Sequence, residues 1–510
     1  MELKSLDPNI RTAVEQYKAL EEKIAHLSMI SSLVGWDQKV TAPKKGRDLF
    51  AKAIGTFRTE QFKLSVSEEM GSLLRLLSAP EVQADLDEIT QAQLRERTAE
   101  YERFKKIPED MYRDYVVLTS KANHAWEEAR ERSDFSLFQP YLEKIVDFNR
   151  KMAEIFGYDQ HPYDALLHEF EPGLSVAVLD PLFAKLRESS VGLLERINRS
   201  GNKPSTAVFE QAFEVDQQKK FNHYFLPILG FDMNAGRLDE TVHPFAQSMN
   251  TGDVRITTRY LQNNVRSAVF GTIHEAGHGI YEQNIDPRFE ETVLSSGASF
   301  GIHESQSRFL ENMIGRSEPF WTYFYPKLQE HFPKQLEGVS QHDFYRAINS
   351  VQPTMIRVEA DELTYNLHIM IRYEIEKALI NGDIEVAELP AIWNEKMQEY
   401  LGITPANDTE GVLQDVHWSF GGFGYFPSYS LGNLYAAQLL NTILREKPDF
   451  YADIEAGRFE GIQEWLKDKI HRHGKLYTPE QLIRQVTGED LKADYLVDYL
   501  EEKYSRIYGL

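Results

Sequence analysis

The sequence predicts one large, mostly α-helical domain over residues 1–510, with two lobes about a cleft. Between residue 9 and about residue 160, apolar side chains recur at spacings of three and four, which is typical of amphipathic helices. One stretch, residues 253–260, instead shows the β-branched alternation of a strand. No tract rich in Gly, Ser or Pro marks a domain boundary, so the N-terminal helical part (about 1–160) is assigned to the same domain.

Proline and glycine mark the breaks between the predicted helices. Residues 42–46 and 107–108 each contain a proline, which ends or begins a helix. Residues 171–173 predict a turn, and residues 200–205 predict a surface loop. For residues 34–38, a structural loop capped by Asp37 is favoured over a functional segment, because Asp is a common capping residue.

The composition excludes several classes of function. The formal charge of −23 argues against nucleic acid or an anionic membrane as the main partner, because both require a basic surface. The absence of cysteine excludes disulfides, thiolate metal ligands and a cysteine nucleophile. The first residues lack the basic and apolar segments of a secretory signal, and no stretch approaches the ~20 apolar residues of a membrane span. We therefore expect a cytoplasmic enzyme.

The predicted strand runs directly into a helix that carries a metal-binding pattern. Alternation places Asp253, Arg255, Thr257 and Arg259 on one face of the strand. A solvated polar face is the ordinary interpretation of such a strand. Its position before the metal helix nevertheless makes this face a candidate border of the site.

Residues 272–279 contain the pattern H-E-x-x-H. His274 and His278 are four residues apart, so they lie on one helix face and can point two imidazoles at one ion. Glu275 lies next to that face and can reach a water on the same metal. The alternative is a chance match on a solvated helix, but the apolar and small residues around the pattern favour a buried helix. The sequence therefore predicts a catalytic metal site.

Two histidines leave the metal shell incomplete, because a catalytic zinc usually has three protein ligands and one water. A helical pattern begins near residue 301, and Glu304 lies 26 residues after His278, enough for a loop and a returning helix. Glu311, two helical turns further, competes for this position, and His303 is a third candidate. Spacing alone favours Glu304 only slightly.

Two further stretches carry candidate substrate contacts. Arg357 and Asp361 stand at i and i+4 of a predicted helix, where an ordinary ion pair contributes roughly a few tenths of a kcal/mol. In the functional interpretation, Asp361 fixes the arginine so that it can grip a carboxylate with two hydrogen bonds. The glycine-rich, aromatic stretch 411–429 offers His417, Tyr425 and Tyr429 as donors for an oxyanion, although a core-lining turn is the alternative.

With these residues assembled, the sequence resembles the carboxypeptidase Taq family of zinc metallocarboxypeptidases, which includes the thermostable carboxypeptidases. Trp36-Asp37-Gln38 and the segments 163–167 and 171–173 also look like family features, so the resemblance runs nearly end to end. The six family motifs H-P-F, D-x-R-x-T, H-E-x-x-H, H-E-S/G-Q, I/V-R-x-x-A-D and G-x-x-Q-D-x-H-W stand here in order as His243-Pro244-Phe245, Asp253/Arg255/Thr257, His274/Glu275/His278, His303-Glu304-Ser305-Gln306, Ile356/Arg357/Ala360/Asp361 and Gly411/Gln414/Asp415/His417/Trp418.

The resemblance implies a mostly α-helical gluzincin fold, similar to neurolysin and angiotensin-converting enzyme. It implies a deep active-site groove, a small β-sheet near the metal helix, and a homodimer. The expected activity is the release of single residues from the free C-termini of peptides with broad preference. The expected cofactor is one zinc ion per subunit, with cobalt as an alternative, and the resemblance selects Glu304 as the third ligand.

The resemblance also suggests residue roles, which we state as hypotheses. Glu275 acts as general base, while Tyr425, chosen over Tyr429, stabilises the oxyanion with His417 as second donor. Arg357 is the first choice for binding the terminal carboxylate and Arg255 the second, and Tyr429 is assigned to substrate binding. Two alternatives remain: an oligopeptidase that cleaves internal bonds, and a metal-free helical binding protein.

Overall fold

The computed structural model describes residues 7–510, and these form 21 α-helices and one three-stranded sheet. Ten helices precede the sheet. They are α1 (Pro8–Val40), α2 (Arg47–Ser65), α3 (Glu68–Leu77), α4 (Pro80–Gln83), α5 (Glu88–Lys105), α6 (Glu109–Arg132), α7 (Gln139–Phe156), α8 (Asp164–Phe170), α9 (Val176–Ser200) and α10 (Val215–Ile228). The sheet consists of β1 (Gly236–Glu240), β2 (Ala246–Asn250) and β3 (Asp253–Thr258).

The remaining helices follow the sheet. They are α11 (Val265–Gln283), α12 (Phe300–Arg308), α13 (Glu318–His331), α14 (Gln341–Ile348), α15 (Glu362–Asn381), α16 (Leu389–Leu401), α17 (Pro427–Glu446), α18 (Phe450–Glu455), α19 (Glu460–Lys469), α20 (Pro479–Thr487) and α21 (Asp494–Tyr508). A π-helical segment, Phe309–Gly315, continues directly from α12. The mostly α-helical prediction is therefore confirmed, and none of the described helices is both long and apolar enough to cross a membrane.

The predicted breaks between helices lie where proline or glycine requires them. Helix α1 ends at Val40, before Pro43, and α6 begins directly after Pro108. Gly173 and Gly201 have φ angles of +87° and +69°, a left-handed conformation that glycine adopts without a Cβ penalty. The turn at residues 171–173 and the end of α9 before the loop at 200–205 are thus confirmed.

The predicted loop at residues 34–38 is wrong, because α1 continues through it to Val40. Asp37 does not cap a loop but accepts a hydrogen bond from the Thr41 hydroxyl. Trp36 is buried, and the guanidinium groups of Arg237 and Arg255 lie 5.1 and 4.6 Å from its ring centroid. Packing against the sheet therefore keeps this end of the helix ordered despite Gly35.

The sheet has the order β1-β3-β2, with β3 parallel to β1 and antiparallel to β2. Val254 and Ile256 are fully buried, as alternation predicts for one face of a strand. Thr257, on the other face, is also buried, and its hydroxyl is satisfied there by accepting a hydrogen bond from the Phe245 backbone at 2.8 Å. The Thr258 hydroxyl donates to the Ala268 carbonyl at 3.2 Å, which joins β3 to α11. The sheet thus lies against the helix with the metal pattern, as expected.

Candidate metal centre and active site

Helices α11 and α12 approach each other closely because Gly277 has no side chain. A Cβ at this position would stand 2.5 Å from the Gln306 carbonyl oxygen and 2.6 Å from the Ser307 Cα. Ser299 caps α12 by accepting a hydrogen bond from the Ile302 backbone at 3.0 Å, which fixes where this helix begins. This contact places Glu304 of α12 opposite His274 and His278 of α11.

Helix α17 approaches α12 from another side, again at a glycine. A Cβ at Gly432 would collide with the side chain of Glu304, so the absent side chain leaves room for the carboxylate. Asn312 and Asn433 pair through their amides at 3.3 Å, and both are buried. Three helices therefore confine Glu304.

We define the metal cluster as His274, His278 and Glu304, whose ligand atoms lie within 4.8 Å of one another. The Glu304 Oε2 atom is 3.6 Å from His274 Nε2 and 3.4 Å from His278 Nε2. Bonds of about 2.0–2.2 Å in a tetrahedral shell would separate neighbouring ligand atoms by about 3.4 Å. Two imidazole nitrogens and one carboxylate oxygen thus fit one zinc-like cation and leave a fourth position open.

The second nitrogen of each imidazole is held by a side chain outside the metal cluster. His274 Nδ1 lies 2.9 Å from Glu311 Oε2, and His278 Nδ1 lies 2.6 Å from His303 Nδ1. His303 Nε2 in turn lies 2.7 Å from Glu282 Oε1. If each Nε2 atom of the cluster keeps a free lone pair, each Nδ1–H donates outward along these contacts. The hydrogen bonds therefore favour the tautomers that a metal requires.

Glu304 and Glu311 are ionised in this setting. Burial opposes their charge, but Arg308 with the two histidines lowers the pKa of Glu304 well below its usual range. For Glu311, burial is likewise outweighed, here by His274, Arg308 and Arg316, which lower its pKa. Arg308 Nε donates to Glu304 Oε1 at 2.7 Å, and Arg316 donates to Glu311 at 2.9 Å. Glu304 thus offers a charged oxygen to a cation, while Glu311 holds His274 rather than joining the cluster.

Glu275 is buried beside the metal cluster. Burial is the largest of the effects that raise the pKa of Glu275 from 4.5 to about 7, and the nearby charges of Glu304 and Glu311 add to it. Among the described residues, no group donates a hydrogen bond to its carboxylate. A carboxylate without a fixed partner and with a pKa near neutrality can accept and return a proton.

A second group, the arginine cluster, consists of Arg357, Arg372 and Asp415. Arg357 Nε and Nη2 donate to Asp415 Oδ1 at 3.0 and 2.8 Å, and Arg372 Nε donates to Asp415 Oδ2 at 2.7 Å. Burial opposes the charge of Asp415, but the two arginines lower its pKa well below the usual range. Two buried guanidinium groups thus share one carboxylate, which leaves a positive charge in excess.

The predicted helical pair of Arg357 and Asp361 is wrong. Arg357 lies in a 3₁₀ turn before α15, and Asp361 caps that helix by accepting hydrogen bonds from the Leu363 and Thr364 backbones at 3.0 and 2.9 Å. The side chain of Arg357 instead pairs with Asp415, 58 residues away. An aspartate does fix this arginine, but tertiary contact rather than helical spacing selects it.

The glycine-rich stretch folds over the two clusters. His417 Nε2 lies 3.2 Å from the Tyr429 hydroxyl, and the Tyr425 and Tyr429 rings are 5.2 Å apart in an edge contact. The ring of Tyr429 also lies 4.9 Å from the Arg357 guanidinium. Burial, together with both arginines of the arginine cluster, lowers the pKa of His417 to about 4, so this imidazole is neutral near pH 7.

Arg255 is not brought to either cluster by its described contacts. It donates to Asp253 at 2.8 and 2.7 Å through two nitrogens, and it stacks on Trp36. The structure therefore joins His274, His278, Glu304, Glu275 and the 417–429 segment around one centre, with Arg357 next to them.

Sequence reasoning missed several residues of this centre. Arg308 stands four residues after Glu304, so an i,i+4 pair could have revealed it. Tyr365, whose hydroxyl contacts Arg357 Nη1 at 3.0 Å, and Arg372 gave no such local signal. Their roles depend on contacts between distant segments.

Comparisons with known proteins identify the family of the chain. The family model for the carboxypeptidase Taq (M32) metallopeptidases matches residues 16–504. The chain is 52% identical to carboxypeptidase 1 of Bacillus subtilis (strain 168), over 98% of this chain and 100% of that protein. It is 39% identical to thermostable carboxypeptidase 1 of Thermus thermophilus, over 98% of this chain and 99% of that protein.

Solved structures show the same fold. The crystal structure of an M32 carboxypeptidase from Deinococcus radiodurans R1 superposes with a TM-score of 0.95 at 34% identity, and covers 98% of this chain and 100% of its own. The structure of the Pyrococcus furiosus carboxypeptidase gives a TM-score of 0.94 at 36% identity, covering 96% and 99%. Sequence motifs, geometry and relatives agree, and the chain belongs to the carboxypeptidase Taq (M32) family of metallopeptidases.

Proposed function

We propose that this protein is a zinc-dependent carboxypeptidase that releases single C-terminal residues from peptides with broad preference. The observation that carries the proposal is the convergence of His274, His278 and Glu304 beside a buried arginine cluster with excess positive charge. The first group suits a hydrolytic metal, and the second suits the α-carboxylate that only a chain end presents.

The metal cluster would hold one zinc ion per subunit, and the same donor set would accept cobalt. When bound, the ion supplies positive charge that lowers the pKa of a water and polarises the peptide carbonyl. Glu311 and His303 keep the two imidazoles oriented for it.

Glu275 acts as the general base in this proposal. It takes a proton from the attacking water and later passes it to the leaving amine, as a gluzincin mechanism requires. Its burial, its free carboxylate and its pKa near 7 support this role. An ordinary, solvated glutamate would be a much weaker base at neutral pH.

Tyr425 and His417 are proposed to donate hydrogen bonds to the oxyanion that forms at the attacked carbonyl. Burial, with the Glu304 charge adding to it, raises the pKa of Tyr425 to about 12, so the phenol keeps its proton. His417 is neutral and can donate without adding charge. Tyr429, whose hydroxyl lies 3.2 Å from His417 Nε2 and whose ring lies 4.9 Å from the Arg357 guanidinium, is assigned to substrate binding.

Arg357 is proposed to bind the terminal carboxylate. Its guanidinium has five N–H donors, of which the described bonds to Asp415 and Tyr365 use three. A substrate carboxylate would use the remaining donors and neutralise the excess charge of the arginine cluster. Arg255 remains the second candidate, although its Nε and Nη2 groups already donate hydrogen bonds to Asp253.

The proposal is tested by incubating metal-loaded protein with an unblocked peptide and a C-terminally amidated copy. Mass spectrometry should show a ladder shortened one residue at a time from the free C-terminus, and little cleavage of the amide. Internal fragments would instead indicate an oligopeptidase. Elemental analysis of purified protein should give about one zinc per chain; absence of metal binding would favour a helical binding protein.

Three further expectations come from the sequence: the homodimer and the deep groove rest on its family resemblance, and the location and the single domain rest on its composition and pattern. We propose a homodimer, a cytoplasmic location, and a single domain over 1–510 with two lobes about a deep groove. Sedimentation analysis of the purified protein tests the dimer, because a mass of one 59.0 kDa chain would contradict it.

A further inference from the structure

Three aromatic rings meet where α8 ends and α12 begins. The rings of Phe170 and Phe300 are 5.5 Å apart, and each contacts the ring of Tyr425, at 5.2 and 5.5 Å. All three contacts are edge-to-face, the favourable arrangement for aromatic pairs. Phe300 is nevertheless 49% exposed, so the group presents an open apolar surface rather than a closed core. We call these residues the aromatic pocket.

The aromatic pocket lies one helical turn from the metal cluster. Phe300 stands four residues before Glu304 on α12, so the two side chains share one face and are separated by about 6 Å along the helix. Arg308 stands one turn beyond Glu304 in the opposite direction. Its guanidinium covers the Tyr365 ring at 4.3 Å, and Tyr365 contacts Arg357. Phe300 and Arg357 therefore lie on opposite sides of the third metal ligand.

A line of rings connects the two sides. Tyr425 lies 5.5 Å from Phe300 and 5.2 Å from Tyr429, and the Tyr429 ring lies 4.9 Å from the Arg357 guanidinium. A peptide whose terminal carboxylate reaches Arg357 would pass Tyr429 first and then Tyr425. The next side chain along the peptide, that of the penultimate residue, would then meet Phe170 and Phe300.

The pocket is held in place by a buried carboxylate. Glu171, directly after Phe170, accepts hydrogen bonds from the Gly301 backbone at 3.0 Å and from the Tyr435 hydroxyl at 2.8 Å. A Cβ at residue 301 would stand 2.6 Å from Glu171 Oε2, so glycine permits this close contact. Glu171 thereby ties the end of α8 to the start of α12 and fixes Phe170 against Phe300. A surface preorganised in this way orders few additional side chains when it binds a ligand.

We propose that Phe170, Phe300 and Tyr425 bind the side chain of the penultimate residue of the peptide and select aromatic and large aliphatic residues there. The assignment rests on the proposed function, because the position of the terminal carboxylate at Arg357 orients the peptide. An apolar side chain entering the pocket would cover the exposed ring of Phe300, while an Asp or Glu would lose hydration without gaining a partner.

The test uses the zinc-loaded protein and blocked tripeptides of one design, acetyl-Ala-X-Ala, with X as Phe or Ala. For the wild type, kcat/KM should be about 10-fold higher with Phe than with Ala. Phe300→Ala should reduce that ratio to near one, because the rate on the Phe peptide falls further than the rate on the Ala peptide. Phe170→Ala is the second variant, with the same expected loss of the ratio. Tyr158→Ala, which removes an exposed ring two residues after the end of α7, is the matched control and should keep the wild-type ratio.

Zinc content and thermal midpoint, measured for each variant, show that the metal cluster and fold are intact. An unchanged ratio in both pocket variants would overturn the assignment. It would also be overturned if Phe300→Ala altered the preference for the terminal residue, measured with acetyl-Ala-Ala-Phe, instead of the penultimate one. Failure of the wild type to release any terminal residue would overturn the proposed function itself. This outcome is distinct from failure of the pocket assignment, because it is seen in the unsubstituted protein.

Discussion

The metal cluster and the arginine cluster lie side by side but are held by different kinds of structure. His274, His278 and Glu304 stand on two regular helices that glycine allows to touch. Arg357 and Asp415, by contrast, lie on a 3₁₀ turn and a loop, and are brought together by their own hydrogen bonds. The proposed function thus places the chemistry on a rigid helical frame and the recognition on segments whose geometry depends on side-chain pairing.

The two clusters also differ in charge. The metal cluster combines an ionised carboxylate with two imidazoles and suits a cation, whereas the arginine cluster has two guanidiniums for one carboxylate and suits an anion. Substitutions in the metal cluster should lower the activity on every substrate equally. The effect of substitutions in the arginine cluster should depend on whether the substrate has a free carboxylate.

The largest effect is expected from Glu275→Gln, which removes the proposed general base and keeps the shape of the side chain. We expect kcat to fall by about 10³-fold on all peptides, because proton transfer by a positioned base contributes factors of this size. Zinc content, measured by elemental analysis, should stay at the wild-type value since Glu275 is not a ligand. Appreciable residual activity, with zinc still bound, would exclude the general-base role.

Next in size is Arg357→Ala. Loss of charge-assisted hydrogen bonds to the terminal carboxylate should lower kcat/KM on free peptides by about 100-fold. Amidated peptides, which cannot use those bonds, should lose much less. Arg237→Ala is a suitable control because this exposed arginine is likewise forked to an aspartate, Asp239, at 2.6 and 2.7 Å. An equal loss on both kinds of peptide would assign Arg357 to structure alone, and Arg255→Ala would then be examined as the alternative anchor.

A smaller effect is expected from Glu311→Gln on the metal cluster. The amide is a weaker acceptor for His274 Nδ1, and loss of such an outer contact typically weakens metal binding 10- to 100-fold. Competition with a chelator of known affinity measures the change in zinc dissociation constant. Glu330→Gln on the surface is the matched control, and zinc affinity equal to the wild type in Glu311→Gln would show that Glu311 does not orient the ligand.

The smallest effect is expected from a change of pH. The base form of Glu275 is the deprotonated one, so kcat/KM should rise as pH increases through its pKa and level off above it. Burial raises that pKa from 4.5 to about 7, and a bound cation opposes the increase. The midpoint of the rise in kcat/KM with pH should therefore lie between these two values. About a tenfold loss per pH unit is expected below the pKa. A profile that stays flat down to pH 4.5 would contradict the raised pKa.

The same contrast explains what the sequence could predict. His274 and His278 are four residues apart, and a helix brings such residues together whatever the rest of the chain does. Glu304 needed more than spacing, because spacing favours it only slightly over Glu311 and over the weaker candidate His303, and the family motif selected it. The arrangement of Glu304, Glu311 and His303 around the two imidazoles depends on close helix contacts at Gly277 and Gly432, which no local pattern reveals.

The arginine cluster shows where local reasoning failed. Asp361 stood at the helical spacing from Arg357, but it caps α15 instead, since the helix begins one residue later. The true partner, Asp415, lies 58 residues away and follows from the tertiary fold. The predicted loop at Asp37 is wrong for a similar reason. Burial of Trp36 against two arginines extends α1 through a stretch that local rules interpret as a loop.

The π-helical segment Phe309–Gly315 constrains the length of the chain at the metal cluster. Its backbone bonds span one residue more than those of an α-helix, so the segment holds one residue that a regular helix would not need. Deleting that residue would let the segment close into a regular α-helix and would leave Glu304, which precedes it, in place. Glu311 lies inside the segment, so its angle about the helix axis would change and its contact with His274 would be lost.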